Sequence, residues 1–504
     1  MSTIRRQSIF SSGIVYFGFA LGFLNTYLFL RQGGFTPTQY GLTGIFISIA
    51  NIMFSFASLG MQAFINKFYP YYNDNLPKKQ NDLITLCLLV AVIGFALVLV
   101  GGISFKSLVI RKFGEHSAEL VKYYYWIFPF GFGFTIYTLL ETYAWQVKES
   151  VFTSYLREVQ FRIFTFILIV FFLIGIFSSF DTFIKSYAFG YVIIATTLLC
   201  YLIIKKEIYF TFSISRVTKK FRKKITTLAA LIWSGSLLHN IAAVFAPIVI
   251  AAVMPDGLAF AAVFTLGQFM TSIMQAPQRG IIAASLGHLS KAWKDKDLKK
   301  INLIYHRSSI NQLIFSTGIF LLIWLNFTDG ILSFHLQKNY LDARYVFLFL
   351  GLNCIIDMGT GLNAQIIGTS TFWRFDFLTG IILLAISLPL TYILTKATGI
   401  IGPAIATLIS FTIYNFIRYI FLLRKFKMQP FDAKTLYTLL LATADFFICY
   451  YLFSTHHGIV WIILRSATFV AIYFPAIIYL KLSPDVLPVW ETIKKRGKRM
   501  FNVE

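Results

Sequence analysis

The sequence predicts an all-α polytopic integral membrane protein with about fourteen transmembrane helices. Of its 504 residues, 57% are hydrophobic and only 13% are charged, whereas soluble domains average roughly 45–50% apolar and about 25% charged residues. The mean hydropathy is +0.71. Apolar stretches of about 18 or more residues, long enough to cross a bilayer as a helix, recur along the whole chain. These observations exclude a soluble enzyme, an intrinsically disordered chain and a disulfide scaffold.

The predicted spans follow one another with short connections. Because their number is even, both termini are expected on the same side of the membrane. The predicted limits are 9–30, 41–64, 82–104, 122–145, 154–177, 182–204, 226–253, 258–281, 309–327, 343–366, 375–395, 400–423, 434–453 and 459–480.

The distribution of basic residues predicts the orientation. Thirty-five of the 45 Lys and Arg residues fall at the N-terminus and in alternate connections, and cytoplasmic loops collect such residues. Both termini are therefore expected in the cytoplasm. The same rule accounts for the net charge of +24 without a nucleic-acid partner. Two basic connections, 205–224 and 291–307, are interpreted either as segments lying along anionic lipid headgroups or as plain topology signals.

Polar residues predict an internal repeat, although any two amphipathic helices can be aligned in this way. The second and eighth spans each carry a polar stripe at alternating spacings of three and four, which is typical of one helix face, and one constant offset in the numbering relates the two stripes. Nearly the same offset relates Glu141 to Asp357, and the basic pair Lys205–Lys206 to Arg424–Lys425. The stripes are Ser48, Asn51, Ser55, Ser58 and Gln62 in the second span, and Thr265, Gln268, Ser272, Gln275 and Arg279 in the eighth.

The repeat predicts two six-helix lobes with the same orientation, since each contains an even number of spans. Two further helices are appended. The predicted domains are an N-terminal six-helix lobe at 1–206, a basic cytoplasmic connection at 207–225, a C-terminal six-helix lobe at 226–425, two appended transmembrane helices at 426–480 and a basic cytoplasmic tail at 481–504.

Lipid cannot satisfy the hydrogen bonds of these polar stripes, so each must face protein or water. A shared central cavity for a polar substrate is the favoured interpretation, and tight helix packing is the alternative. Arg279 is the candidate for binding a phosphate, because a guanidinium gives paired, charged hydrogen bonds; its alternative role is an interfacial anchor. The candidate substrate-binding residues are Asn25, Asn51, Ser55, Gln62, Asn240, Gln268, Ser272, Gln275 and Arg279.

Glu141 and Asp357 are the candidate ion-coupling residues, for Na⁺ or H⁺, because carboxyl groups within apolar spans are costly and often functional. A structural ion pair or a polar cap facing water is the alternative. Asp445 and Arg465, in the appended spans, are expected to pair with one another. Pro277 is expected to bend the eighth helix, because proline lacks a backbone donor.

No catalytic pattern is present in the sequence. It contains no phosphate-binding Gly-Lys-Ser/Thr loop and no His, Cys and acid cluster at metal-binding spacing, so neither a cofactor nor a metal is expected. No predicted external connection is long enough to hold a sugar acceptor. The protein is therefore predicted to be a transporter rather than an enzyme.

Three segments carry a resemblance to the polysaccharide-exporter branch of the multidrug/oligosaccharidyl-lipid/polysaccharide flippase superfamily. They are Thr36–Leu42 (TPTQYGL), Gly60–Tyr69 (GMQAFINKFY) and Gly399–Ser410 (GIIGPAIATLIS). The resemblance implies two six-helix lobes in a V that opens alternately to each side. It further implies flipping of a polyprenyl-pyrophosphate-linked oligosaccharide for cell-surface polysaccharide or lipopolysaccharide biosynthesis, with membrane lipids, a polysaccharide polymerase and glycosyltransferases of the same pathway as partners.

The sequence departs from two neighbouring branches of that superfamily. The peptidoglycan-precursor branch has arginines in its first helix, where this chain offers only Asn25. The drug-exporting branch typically has an acidic residue in its first or seventh span, and spans 9–30 and 226–253 contain none. An ion-coupled drug or small-metabolite exporter of the same fold remains the alternative function, followed by a membrane enzyme acting on lipid-linked sugars.

Overall fold

The computed structural model describes residues 3–485, without the side chains of residues 3–13, 15 and 16 and of some positions within 228–239, 283–287 and at 373. Residues 486–504, which make up most of the predicted basic tail, lie outside the described residues. Within the described part every regular element is a helix, which confirms the all-α class.

The helices have the length and composition of a polytopic membrane protein. Eight helical segments of the described part are long and apolar enough to cross a membrane, and a ninth is added if a pair bent by 49° counts as one span. Each of the fourteen predicted spans overlaps at least one helix. The chain divides into two compact units, Met1–Ala262 and Val263–Glu504.

Unit 1 contains the first twelve α-helices and the start of the thirteenth. Its longest helix, α12, has 38 residues and includes residues 216–225 of the connection predicted from the sequence. The helices are α1 (Thr3–Leu30), α2 (Pro37–Ala57), α3 (Met61–Asn75), α4 (Leu83–Ser104), α5 (Lys106–Phe113), α6 (Ala118–Lys122), α7 (Ile127–Gln146), α8 (Ser150–Tyr155), α9 (Phe161–Leu173), α10 (Phe180–Tyr187), α11 (Gly190–Ile204), α12 (Arg216–Val253) and α13 (Gly257–Met274).

Unit 2 contains the remainder of α13 and eight more helices. Its longest, α15, has 36 residues, and its Ile310 and Ile314 lie in one hydrophobic cluster with Ala442 and Phe469, one from each appended helix. The helices are α14 (Ala276–Lys294), α15 (Leu298–Ser333), α16 (Ala343–Gly359), α17 (Asn363–Thr369), α18 (Trp373–Thr398), α19 (Gly402–Phe426), α20 (Ala433–Leu452) and α21 (Ile459–Tyr479).

The segment Thr36–Leu42, one of the three that carry the family resemblance, forms the start of α2. The Thr36 hydroxyl accepts a hydrogen bond from the Gln39 backbone N–H at 3.2 Å, and the Gln39 side chain accepts one from the Thr36 N–H at 3.0 Å. This reciprocal pair is a capping box. Pro37 occupies the first turn, where its missing donor is not needed. The segment is therefore a helix-start signal.

The prediction of one continuous helix for the second span is wrong, whereas the interruption expected beside Pro277 in the eighth span is present. α2 ends at Ala57, and the chain turns through Leu59 and Gly60 at positive φ angles of 44° and 77° before α3. In unit 2 the break falls at Gln275, one residue after α13 ends, and Pro277 lies in the first turn of α14. The offset that relates the two polar stripes also carries Ser58–Gly60 onto Gln275–Pro277, so the two breaks lie at corresponding positions of the predicted repeat.

The fifth predicted span is also interrupted. Between α8 and α9 lies a π-helical segment, Leu156–Gln160, of the kind often found at functional sites. Gly18 of α1 packs on it so closely that a Cβ atom there would lie 2.6 Å from the Glu158 carbonyl oxygen. Gly22, one turn along, faces the Arg162 guanidinium. This small-xxx-small pattern lets the two backbones approach.

The predicted pairing of Asp445 with Arg465 is wrong. Arg465 lies 2.9 Å from Asp329 of α15 and donates to the Leu325 carbonyl oxygen at 2.8 Å. Asp445 instead accepts a weak hydrogen bond from Cys449, at 3.7 Å, within its own helix. The reason is that Arg465 lies on the side of α21 that faces α15.

Candidate functional site

Most polar side chains of the α2 stripe form hydrogen bonds within α2 or to a neighbouring helix of unit 1. Ser48 and Asn51 donate to carbonyl oxygens one turn back in α2, and Ser55 does the same at 2.7 Å. Ser55 is also a contact between helices, because its hydroxyl accepts a hydrogen bond from Asn240 of α12 at 2.9 Å. Ser48 and Ser55 are buried and thus fit the alternative role in helix packing. Asn51 is half-buried.

Gln62 is separated from the rest of the stripe by the break before α3. Its amide donates to the Thr142 hydroxyl of α7 at 3.1 Å. One turn along α3, Asn66 accepts a hydrogen bond from Gln146 at 2.9 Å. The amides of α3 therefore join it to α7, the helix that carries Glu141.

A charged cluster surrounds the π-helical segment of unit 1. Glu141 lies 2.9 Å from Arg157, and the Tyr137 hydroxyl lies 3.3 Å from its other carboxylate oxygen. Glu158 lies 2.8 Å from Arg162 and 3.7 Å from Arg157. Two carboxylates thus balance two guanidinium groups, and Glu141 takes part in an ion pair, the alternative given for it above. Its ion-coupling role stays a prediction.

Asn25 joins this cluster from α1. Its side-chain amide donates to the Arg162 carbonyl oxygen at 2.8 Å. The Asn25 side-chain oxygen and the Arg162 Nη1 atom are both buried without a hydrogen-bond partner among the described residues. Polar atoms buried in this way are rare and call for a reason. Asn25 of α1 and Arg162 of α9 therefore bring an acceptor and a donor without described partners into the same buried cluster.

The stripe of unit 2 keeps more of its polar groups available. Ser272 donates to the Phe269 carbonyl oxygen at 2.7 Å, within α13. Gln268 and Gln275 are half-buried and Arg279 is exposed, and none of the three makes a side-chain hydrogen bond or ion pair with another described residue. The free guanidinium of Arg279 is the feature that a phosphate site requires.

Asp357 has amide neighbours rather than a cation. Gln278 of α14 donates to one carboxylate oxygen and Asn415 of α19 to the other, both at 3.1 Å. Asn363 donates in turn to Asn415 at 2.9 Å. No described Lys, Arg or His side chain forms an ion pair with the Asp357 carboxylate. This distinguishes it from Glu141, its counterpart in the repeat.

Sequence reasoning missed the partners of these carboxylates. Arg157 and Arg162 were not among the predicted site residues; they lie in the π-helical segment and in the first turn of α9. Gln278, Asn363 and Asn415 do not form a stripe. The signal that was available is the pair Gly18 and Gly22, a small-xxx-small pattern that indicates a close helix contact. No cluster of three or more metal-binding side chains occurs among the described residues.

No protein-family model matches the sequence, and no curated protein matches it significantly. Solved structures do. "Lipid II flippase MurJ, inward closed conformation" is similar with a TM-score of 0.70 and 19% identity, over 94% of this chain and 99% of that one. An inward-facing multidrug-resistance MATE family transporter has a TM-score of 0.60 and 16% identity, over 84% and 94%. A mutant of the MATE transporter VcmN of Vibrio cholerae has a TM-score of 0.51 and 14% identity, over 83% and 97%.

These likenesses identify the fold. The lipid II flippase and the MATE transporters are members of the multidrug/oligosaccharidyl-lipid/polysaccharide flippase superfamily, the superfamily that the sequence resembles. The neighbours are transporters and flippases rather than enzymes. The chain thus shares the fold of a lipid II flippase and of multidrug-resistance MATE transporters.

Proposed function

We propose that this protein flips a polyprenyl-pyrophosphate-linked oligosaccharide across the bacterial cytoplasmic membrane by alternating access, for the synthesis of a cell-surface polysaccharide. The observation that carries the proposal is the likeness to the lipid II flippase, because it extends over nearly the whole of both chains. The absence of an acidic residue from spans 9–30 and 226–253 favours this function over drug export.

The available cation of α14 supports a phosphate-bearing substrate. Arg279 is exposed and keeps all of its guanidinium donors free of described partners. Arg162 is the second candidate, but its Glu158 ion pair leaves only Nη1 without a partner. Since a pyrophosphate needs several donors at once, Arg279 is the better first contact for it. The neighbouring Gln275 and Gln268 can donate to sugar hydroxyls.

The uncompensated carboxylate of unit 2 supports coupling to a cation. Among the described residues, Asp357 receives side-chain hydrogen bonds only from amides, which orient a carboxylate without cancelling its charge. A Na⁺ ion or a proton would supply the missing positive charge. Its binding would change the hydrogen bond between Asp357 and Gln278, and this change would be transmitted to α14. We assign this role to Asp357 in preference to Glu141.

The test compares transport of two substrates by the purified protein in liposomes. Accessibility of a polyprenyl-pyrophosphate oligosaccharide to an external glycan-binding probe reports flipping, and efflux of a lipophilic cation reports drug export.

A charged hydrogen bond is worth about 1.5–3 kcal/mol, so Arg279→Ala should weaken binding of the lipid roughly ten- to a hundred-fold. Arg279→Lys should restore part of the loss, because it keeps the charge without the planar donor fork.

Lys294→Ala is the matched control, since it removes a cation from the exposed last turn of the same helix. It should leave affinity unchanged. Efflux of the lipophilic cation without flipping of the lipid would replace the proposal with drug export. Equal binding by wild type and Arg279→Ala would transfer the pyrophosphate role to Arg162.

A further inference from the structure

A groove between α18 and α19 of unit 2 forms an open cavity of about 480 Å³. Cavities of roughly 300–1,000 Å³ are typical of small-molecule sites. Phe375 and Phe421 line it as a stacked pair with ring centroids 4.0 Å apart. Phe416 lines it as well and is 60% exposed. The groove therefore offers an open, largely aromatic surface to an apolar chain.

The polar part of the lining consists of two cations. Arg424 and Lys425 lie in the last turn of α19 and border the groove. Neither side chain forms an ion pair with a described acidic side chain. Lys425 lies over the Phe372 ring, 5.4 Å from its centroid, which fixes it beside the aromatic surface. An apolar groove that ends in two uncompensated cations matches an amphiphile with an anionic head.

The internal repeat provides a comparison within the same chain. Lys205, the counterpart of Arg424, is 2.8 Å from Glu149, and Tyr201 donates to the same carboxylate at 2.8 Å. At the offset that relates Lys205 to Arg424, the counterpart of Glu149 is Gly368, which has no charge. One of the two cations at the basic helix end of unit 1 is therefore neutralised by Glu149, whereas neither cation of the counterpart pair in unit 2 has such a partner among the described residues.

We propose that this groove is a binding site for one anionic phospholipid of the cytoplasmic leaflet. An acyl chain lies along Phe375, Phe416 and Phe421, and the phosphate lies between Arg424 and Lys425. The occupant is a bilayer phospholipid rather than a lipid-linked sugar, because the lining contains no hydroxyl, amide or carboxylate side chain that would bind sugar hydroxyls. This site does not depend on the function proposed above.

The test is native mass spectrometry of the purified full-length protein in the presence of equal amounts of phosphatidylglycerol and phosphatidylcholine. Wild type should retain phosphatidylglycerol preferentially. The double variant R424Q/K425Q should lose about tenfold or more of that preference, since each basic residue near an anionic headgroup contributes appreciably to binding. The matched variant K205Q/K206Q changes the corresponding pair of the other repeat and should retain the preference.

A second variant tests the groove without altering charge. Ile420 lines the cavity, and Ile420→Trp should fill it and reduce retention of phosphatidylglycerol by a similar factor. The proposal is overturned if Ile420→Trp or R424Q/K425Q retains the lipid as wild type does. It is also overturned if K205Q/K206Q loses as much as R424Q/K425Q, which would indicate a diffuse basic surface. Displacement of phosphatidylglycerol by an equal amount of polyprenyl phosphate would overturn the choice of occupant.

Discussion

Single residues at corresponding positions of the predicted repeat have different surroundings. Glu141 is buried beside Arg157 and Tyr137, whereas Asp357 is held by Gln278 and Asn415. A carboxylate with a guanidinium partner is already compensated. One with amide partners retains a charge that a mobile cation can meet. The same residue class therefore serves as a structural ion pair in one repeat and as the better candidate for ion coupling in the other.

This difference predicts opposite phenotypes for two neutralising substitutions. Glu141→Gln leaves Arg157 without its nearest partner, and breaking a buried ion pair costs about 3–5 kcal/mol. The Arg157 side chain is 48% exposed, so we expect a smaller loss of about 1–2 kcal/mol, seen as a lower thermal unfolding midpoint. Asp357→Asn should leave that midpoint nearly unchanged and abolish the Na⁺ or pH dependence of transport.

The combined variant E141Q/R157Q is the control for the first effect, because removing both charges leaves no unpaired ion. It should recover part of the lost stability. If instead Glu141→Gln abolishes ion dependence with an unchanged unfolding midpoint, while Asp357→Asn does neither, the two roles are exchanged between the repeats.

At the level of elements, hydropathy located the apolar helices but not their interruptions. The window over 41–64 cannot register the turn at Leu59–Gly60, because both residues are compatible with an apolar span. Pro277 was visible as a helix-breaking residue, and the break in unit 2 does fall beside it. The π-helical segment Leu156–Gln160 has no comparable sequence signal; Gly18 indicates only that another helix packs closely on it.

The break between α2 and α3 depends on Gly60, and this predicts a position-specific effect of adding one methyl group. Gly60 has φ +77°, and a Cβ atom there would lie 2.3 Å from the Ala229 carbonyl oxygen of α12. The left-handed conformation alone costs a non-glycine residue roughly 1–2 kcal/mol, and the backbone clash adds to it. Gly60→Ala should therefore lower the thermal unfolding midpoint by several degrees.

Gly101→Ala is the matched control for this effect. Gly101 lies within α4, with open space around the position of an added Cβ. Alanine is preferred to glycine within a helix by roughly 0.5–1 kcal/mol, so the same methyl group should be neutral or stabilising there. Equal unfolding midpoints for Gly60→Ala and wild type would show that the turn between α2 and α3 adapts freely.

At the level of the whole molecule, the sequence predicted the all-α membrane class and the superfamily fold, because both depend on the total apolar content and the order of spans. The pairing of side chains depends on helix rotation, which a one-dimensional pattern does not contain. Arg465 illustrates this, since its partner Asp329 lies far away in the sequence, on α15, and nothing in the spacing connects them. The same limitation applies to Asn25 and Arg162.

The predicted orientation with both termini in the cytoplasm can be tested by labelling single cysteines. Cys87, Cys354 and Cys449 are buried, and Cys200 is exposed, so a Cys200→Ser background removes the accessible native thiol. Asn75, Lys294 and Asn339 are exposed. Cysteines at Asn75 and Lys294 should react with an impermeant maleimide only from the cytoplasmic side, and a cysteine at Asn339 only from outside.

The length of α15 makes this test decisive for unit 2. Its 36 residues extend roughly 54 Å at 1.5 Å per residue, which exceeds the bilayer core of about 30 Å. Lys294 and Asn339 flank this helix, so they must lie on opposite sides if α15 crosses the membrane once. Labelling of both from one side would remove α15 as a span. Labelling of Lys294 from outside and Asn339 from inside would invert the protein, and the cations of α14 and α19 would then face the outer leaflet, where neither a cytoplasmic pyrophosphate nor a cytoplasmic phospholipid could reach them.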